Sequence, residues 1–491
     1  MNRLSLPIAI LIMPLLAGCL SLAPDYERPD TPAPSKWPDG PAYPDGETGT
    51  NAPAAADLAW QVFFADDELR RVIAMALDNN RDLRLAVLNV ERARSLYGVQ
   101  RAELFPALDA AGAWSKQLSS VDLVGSDSPR TTESYSVDLG MASWEIDFFG
   151  RIRSLKDRAL QNYLATEAAR RGAQVALVAE VATAYLTLAS DRDTLALAHS
   201  TLELRRETYR LIERQYDASL ATEIDLRRAR SQVDAARVSV ALYTRRVALA
   251  GNALDLLAGA PVPEALVPES MAEISPPADI AAGLTSDVLL NRPDIMAAEH
   301  RLKGANAFIG AARAAFFPRI GLTAAIGTAS DELSGLFGAG TDTWSFSPRI
   351  AMPVFDSRVR AAHRVSKVDQ EIALVQYEKT IQEAFREVAD TLAACKTLIE
   401  QTSAQAALVE SARTIHALAE RRFNNGIDSY LSVLDAQRSL YAAEQDLLAV
   451  RLADLASRVR LYAVLGGGTR VDVDEHHHRG EHGENTGSES L

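Results

Sequence analysis

The sequence predicts a mixed chain, very long α-helices joined to membrane-length β-strands, internally duplicated, with too few strands to close a barrel alone. Three observations predict it. Motifs recur at a nearly constant separation through the two halves. Two stretches of more than sixty residues, Arg151 to Tyr216 and Arg358 to Phe423, contain no proline. Four segments near residues 107–116, 135–148, 319–327 and 343–355 read as strands, the second pair with clear alternation between apolar and polar residues.

Taken in chain order, residues 1–18 read as a secretory signal. Arg3 supplies a positive charge, and Leu4 to Leu16 are mostly apolar but too short to span a bilayer. The run ends in Leu16-Ala17-Gly18-Cys19, which resembles the bacterial lipobox. That resemblance implies cleavage before Cys19, acylation of Cys19 and anchoring to membrane lipid. The alternative is ordinary cleavage beside a chance cysteine. In such lipoproteins an Asp after the cysteine often marks retention at the inner membrane, so Leu20 is compatible with the outer membrane. Residues 19–56, rich in Pro, Asp, Gly and Thr, read as a lipid-anchored tether. The other cysteine, Cys395, lies in an Ala-rich helical pattern and reads as a small packed apolar residue.

A first repeat is expected over 57–259, a linker over 260–285 and a second repeat over 286–468. Phe105-Pro106 recurs as Phe317-Pro318, and at the same separation Gly98 matches Gly310 and Arg101 matches Arg313. Beyond the strands the separation is slightly shorter and again constant: Phe148 matches Phe355, Arg151 matches Arg358, and Gly259 matches Gly466. Each unit reads helix, strand pair, very long helix, helix. In the second strand pair Ile320, Leu322, Ala324 and Ile326 alternate with small or polar residues, as do Trp344, Phe346 and Ile350. Open sheet edges are not tolerated in lipid, so several chains must pool their strands. The alternative is two small hairpins covered by helices in a soluble protein.

The proline-free stretches would each reach about 100 Å as helices at 1.5 Å per residue. Their shorter partners carry strict sevens, Leu226, Val233, Val240, Val247, Leu254 and Leu434, Tyr441, Leu448, Leu455, Tyr462. That spacing is a side-by-side helix seam. Apart from the leader no apolar run reads as a transmembrane helix. The formal net charge of −14 argues against a nucleic-acid partner. Residues 469–491 read as a disordered polar tail, although His476, His477, His478 and His482 could hold a metal. No nucleophile elbow, zinc-protease helix or phosphate loop is present, so an enzyme is not expected and no catalytic residue is assigned.

Several blocks carry a specific resemblance: Asn79-Asn80-Arg81-Asp82-Leu83, Trp144 to Arg151, Val181 to Leu186, Arg292-Pro293-Asp294-Ile295, Gly310 to Pro318 and Leu434 to Leu440. From Leu16 to Gly468 the chain resembles the OprM branch of the TolC family of outer-membrane efflux channels. The resemblance implies a homotrimer with one twelve-stranded barrel in the outer membrane, four strands from each chain, and a twelve-helix periplasmic tunnel. It implies a passive exit channel for drugs and other small toxic compounds. The implied partners are a periplasmic adaptor and an inner-membrane transporter of the resistance-nodulation-division class. It implies no cofactor besides the lipid on Cys19. The alternatives are a channel of this shape serving protein secretion and a lipid-anchored coiled-coil scaffold without a pore.

The resemblance also places a gate at two periplasmic turns. One follows Asn424-Asn425-Gly426, where Gly426 permits a left-handed residue and Asp428 or Ser429 can cap the next helix. Its counterpart is Ala218 to Thr222. In the family, residues at the positions of Leu431 and Asp435 narrow the pore. The alternative is that Asp435 merely pairs with Arg438 or Arg227. In the family an Asp at Asp225 is tied to a Tyr at Phe423, which here has no hydroxyl. Arg421 or Arg422 is the candidate replacement.

Overall fold

The computed structural model describes residues 21–43, 53–120, 122, 129–281 and 285–469. Cys19 and the His-rich tail lie outside them. The first repeat contains α1 (Asp67–Asn79), α2 (Arg81–Ala102), β1 (Asp109–Leu118), β2 (Thr131–Ile146), α3 (Arg151–Asp217) and α4 (Glu223–Ala258). After a short helix at Thr285–Leu290, the second contains α5 (Pro293–Ala314), β3 (Arg319–Ser330), β4 (Asp342–Ala351), α6 (Ser357–Asn424) and α7 (Tyr430–Val464). The two uninterrupted helices, α3 and α6, run for 67 and 68 residues.

The repeats are interlocked. One compact unit takes residues up to Asp30, Asn89–Glu167 and Ala297–Tyr377, and the other takes Thr31–Leu88, Ala168–Met296 and the chain from Glu378. Each unit thus draws on both repeats. The first holds one antiparallel sheet in the order β1-β2-β3-β4. Its central pair joins the two repeats, with Tyr135 opposite Ser330 and Ile146 opposite Ile320. Strands β1 and β4 are left as edges. Pro348 sits on the edge strand, where a missing N–H is tolerated, and β4 stops before Pro353.

The second unit has the larger core. Tyr462 stacks on Phe63 at 4.2 Å, and its hydroxyl donates to the Leu58 carbonyl at 2.9 Å. Val181, Ala182, Tyr185 and Leu186 of α3 are buried there beside Val388 and Val459. Contrary to expectation, an 18-residue window of α3 is apolar enough to cross a membrane by length and composition. The buried face it presents to this core accounts for that apolarity.

Equivalent joints recur in this unit. Asn80 donates through Nδ2 to the Leu257 carbonyl at 2.9 Å, and Arg292 donates through Nη1 to the Val464 carbonyl at 2.9 Å. The two donors stand at the separation of the Phe-Pro motifs, and the two acceptors at the shorter separation that holds beyond the strands. Gly259 and Gly466 take matching left-handed conformations at φ 72° and 74°.

Candidate functional site: a two-faced sheet and a helix tip

Pairing sorts the strand residues onto two faces. One face carries Trp114, then Val137 and Leu139, then Ile320, Leu322 and Ile326, then Trp344, Phe346 and Ile350. The opposite face carries Ser115, Gln117, Ser136, Asp138, Thr323, Gly327, Ser345 and Arg349. Trp344 is 80% exposed and Ile350 69% exposed, so the chain itself leaves this apolar face uncovered. Such a surface suits lipid on one side and water on the other.

In β2 the apolar positions change parity, from Tyr135, Val137, Leu139 and Met141 to Trp144 and Ile146. A bulge between Met141 and Trp144 absorbs the extra residue and keeps all six on one face. Within it Ser143 adopts φ 57°, and its N–H donates to Thr323 Oγ1 at 3.1 Å. Opposite Tyr135 to Ile146, β3 runs from Ser330 to Ile320, about 33 Å at 3.3 Å per residue, or about 25 Å across a bilayer at a 40° tilt. We predict that Phe346→Arg lowers the yield of membrane-inserted protein, since an arginine near the bilayer midplane costs about 2–4 kcal/mol. Ser345→Arg, on the other face, should insert normally. Equal yields in outer-membrane fractions would show that the faces have been assigned wrongly.

The tip turns in the second unit are the same motif twice. Leu220 N–H donates to the Gln215 carbonyl at 2.7 Å and Ser219 N–H to Tyr216 at 2.9 Å. Ile427 N–H donates to Arg422 at 2.9 Å and Gly426 N–H to Phe423 at 2.8 Å. Ser219 (φ 61°) and Gly426 (φ 70°) are the left-handed residues. Sequence reasoning singled out only Gly426, because a serine carries no such signal.

The expected link from Asp225 to Arg421 or Arg422 is not formed within the chain. Asp225 is committed to a capping box, accepting from Thr222 N–H at 3.2 Å and Thr222 Oγ1 at 2.6 Å. Arg422 holds Asp428 through two bonds, at 2.6 and 3.1 Å. Asp428 therefore braces the turn, and Ser429 occupies the N-cap without a side-chain bond. Arg421 contributes its carbonyl, which accepts from Asn425 Nδ2. Phe423 instead packs on Tyr430, ring centroids 5.7 Å apart, beside the buried Ile212, Ala229, Val433 and Leu434. Burial pushes the Tyr430 hydroxyl up to about 12.

Helix α7 buries Val433, Leu434, Ala436 and Gln437 and leaves Leu431, Asp435 and Arg438 on its open face. Leu431 is 54% exposed. Among the described residues no ion pair joins Asp435 to Arg438 or Arg227, and Arg227 pairs with Glu223 at 3.2 Å. The arrangement presents an apolar side chain and a free carboxylate one helical turn apart.

Residues 22–28, within the expected tether, are held by specific bonds. Arg313 donates to the Leu22 carbonyl at 3.1 Å and Asn306 to the Pro24 carbonyl at 2.8 Å, while Arg28 grips buried Glu299 at 2.9 and 3.1 Å. Residues 22–28 thus lie along α5. Burial alone would raise the Glu299 carboxyl, but Arg28 and Lys303 outweigh it and hold it below the ordinary range. A lowered carboxyl stabilises the clasp above its unfolded value and loses that contribution as pH falls through the folded one. We predict that Glu299→Gln weakens the clasp by about 2 kcal/mol, the worth of a charged hydrogen bond. Amide exchange of residues 22–28 should accelerate in acid in the parent, and be fast at all pH in the variant. A pH-independent parent would overturn this reading.

A sheet with one lipid-suited face, open edges and paired long helices narrows the choice to membrane channels. Residues 72–260 and 284–467 match the family described as outer membrane efflux protein. The chain belongs to this family. It is 46% identical over 468 residues to the solvent efflux pump outer membrane protein SrpC of Pseudomonas putida, covering 95% of this chain and 98% of that one. A crystal structure of a membrane protein from Pseudomonas aeruginosa superposes with a TM-score of 0.85 at 42% identity, covering 91% of this chain and 98% of that one. The open state of the Neisseria gonorrhoeae MtrE outer membrane channel gives 0.82 at 38% identity, covering 92% and 99%. The channel is an outer-membrane exit for a tripartite efflux pump, and it extends into the periplasm. Its fold is that of trimeric channels, in which four strands per chain make a twelve-stranded barrel. The family is one of transporters rather than enzymes.

Proposed function

We propose that the channel passively conducts small apolar toxicants, delivered by a periplasmic adaptor and an inner-membrane transporter of the resistance-nodulation-division class, and is anchored by lipid on Cys19. The observation that carries this reading is the two-faced sheet with open edges, which can only enclose a path when copies join. Relatives named for solvent, toluene and antibiotic efflux support the substrate class. In this reading Leu431 and Asp435 line the narrow tip. The test is crosslinked affinity capture from intact envelope, paired with toluene and antibiotic tolerance of a strain lacking the gene. Capture of an adaptor and a proton-driven transporter, with lost tolerance, is expected. Capture of protein-secretion components with unchanged tolerance would replace this reading. Intact mass should show a chain starting at Cys19 with acyl mass added.

A further inference from the structure

The junction between the two copies inside one chain is a template for the junction between chains. Both copies keep the same frame. Helices α2 and α5 end at Ala102 and Ala314, at the separation of the Phe-Pro motifs. Helices α3 and α6 end at Asp217 and Asn424, at the shorter separation that holds beyond the strands. Within the chain α3 of the first copy packs on α5 of the second. Arg158 lies over the Phe308 ring at 4.1 Å. A Cβ on Gly304 would be 3.5 Å from Asn162 Oδ1, and one on Gly310 would be 2.6 Å from Ser154 Oγ. Phe149 stacks on Phe317 at 4.8 Å.

In a closed ring α6, the counterpart of α3, must meet α2, the counterpart of α5, of another chain, head to tail. Shifting each residue by the separation that applies to its helix names the counterparts. Arg158 and Phe308 become Val365 and Leu96. Asn162 and Gly304 become Asp369 and Arg92. Ser154 and Gly310 become Ala361 and Gly98. Phe149 and Phe317 become Asp356 and Phe105, and Asp356 is held by Arg358 of its own helix, so no aromatic contact carries over.

Two of the substituted pairs stay complementary although both members change. A cation over a ring becomes two aliphatic side chains, Leu96 at 54% exposure and Val365 at 56%. An amide against a glycine becomes a carboxylate against a guanidinium, and among the described residues neither Asp369 nor Arg92 has an ion pair in its own chain. We propose that Arg92 and Leu96 of one chain meet Asp369 and Val365 of the next, an ionic and an aliphatic contact in one seam. This rests on the trimeric reading above.

The test uses the full-length chain, with Cys395→Ser as background, in outer-membrane vesicles and as purified protein. Leu96→Cys with Val365→Cys, treated with a short bifunctional thiol reagent, should give covalent dimers and trimers on denaturing gels, and neither single variant should. Arg92→Glu and Asp369→Arg should each lower the temperature at which the trimer dissociates, and the double reversal should recover most of the loss. If native mass shows three chains but the cysteine pair does not link and the charge reversals add, the seam is wrong and the trimer stands. If native mass shows one chain, the trimeric reading fails with it.

Discussion

If Asp435 lines the tip as proposed, Asp435→Ala is expected to lower the channel's preference for cations about tenfold, because a trimer would then present this carboxylate three times around one narrow lumen. A unit charge about 5 Å away in water is worth about 0.8 kcal/mol, and screening at 0.15 M salt roughly halves it. Three such charges leave about 1.3 kcal/mol, or about tenfold in selectivity. Leu431 stands one turn away and exposed, and on the same proposal would add an apolar constriction that disfavours water. Leu431→Ala combined with Asp435→Ala should therefore raise single-channel conductance and antibiotic leakage more than either change alone. Divalent cations on the periplasmic side should block the parent more than the Asp435 variant. Reversal potentials in a salt gradient decide the matter. Identical selectivity and block in parent and variant would place Asp435 outside the lumen, as a solvated residue on the helix surface. Asp225→Ala is a different kind of change: it leaves the Thr222 cap but removes its reciprocal hydrogen bonds, worth about 1 kcal/mol, and should loosen the turn locally.

The largest loss of stability is expected at Arg292. Its guanidinium donates to Asp294 at 2.7 and 3.1 Å, to Glu387 at 2.9 Å and to the Val464 carbonyl at 2.9 Å, with the side chain 9% exposed. Burial lowers its hold on the proton, but the two carboxylates outweigh this and keep it charged. Arg292→Ala leaves Glu387 and the end of α7 without their donor. The carboxylate partners of Arg292 are partly exposed, so the loss is that of charged hydrogen bonds, about 2 kcal/mol. Arg292→Lys keeps the charge but not the fork, and should recover part of that. Asn80→Ala, at the equivalent joint of the first repeat, removes neutral bonds and should cost about 1 kcal/mol. Urea unfolding midpoints rank the three. An Arg292→Ala protein as stable as Asn80→Ala would mean that solvent satisfies the site.

Some of this was legible in the residues because the constraint is local. Absence of proline permits a helix of any length, and the sevens of Leu226 to Leu254 specify a seam without reference to a partner. Alternation in Ile320 to Ile326 and Trp344 to Ile350 holds for any strand with one apolar face, and Gly426 announces its left-handed turn. The first strand pair was less legible, because the change of parity at Met141 to Trp144 erases alternation unless a bulge is known to be there. Ser219 takes the same left-handed turn as Gly426 without any sequence signal.

What the sequence by itself determined was the element types and the duplication; the tip positions came from the family resemblance. Which repeat lends strands to which, and which side chains bond to one another, only the tertiary structure decided. Asp225 has Thr222 three residues away, and Arg422 has Asp428 six residues away. Each near partner is held by the same turn, so bonding to it restricts few further torsions, and the more distant link loses that competition. Glu299 and Arg28 meet across 271 residues because α5 provides a buried surface that leaves the carboxylate no other charged donor of equal reach but Lys303. The physical reason is that helix and strand are set by backbone sterics and periodicity within a few residues. A side chain's partner is set by which of several suitable groups the packed chain brings within hydrogen-bonding distance.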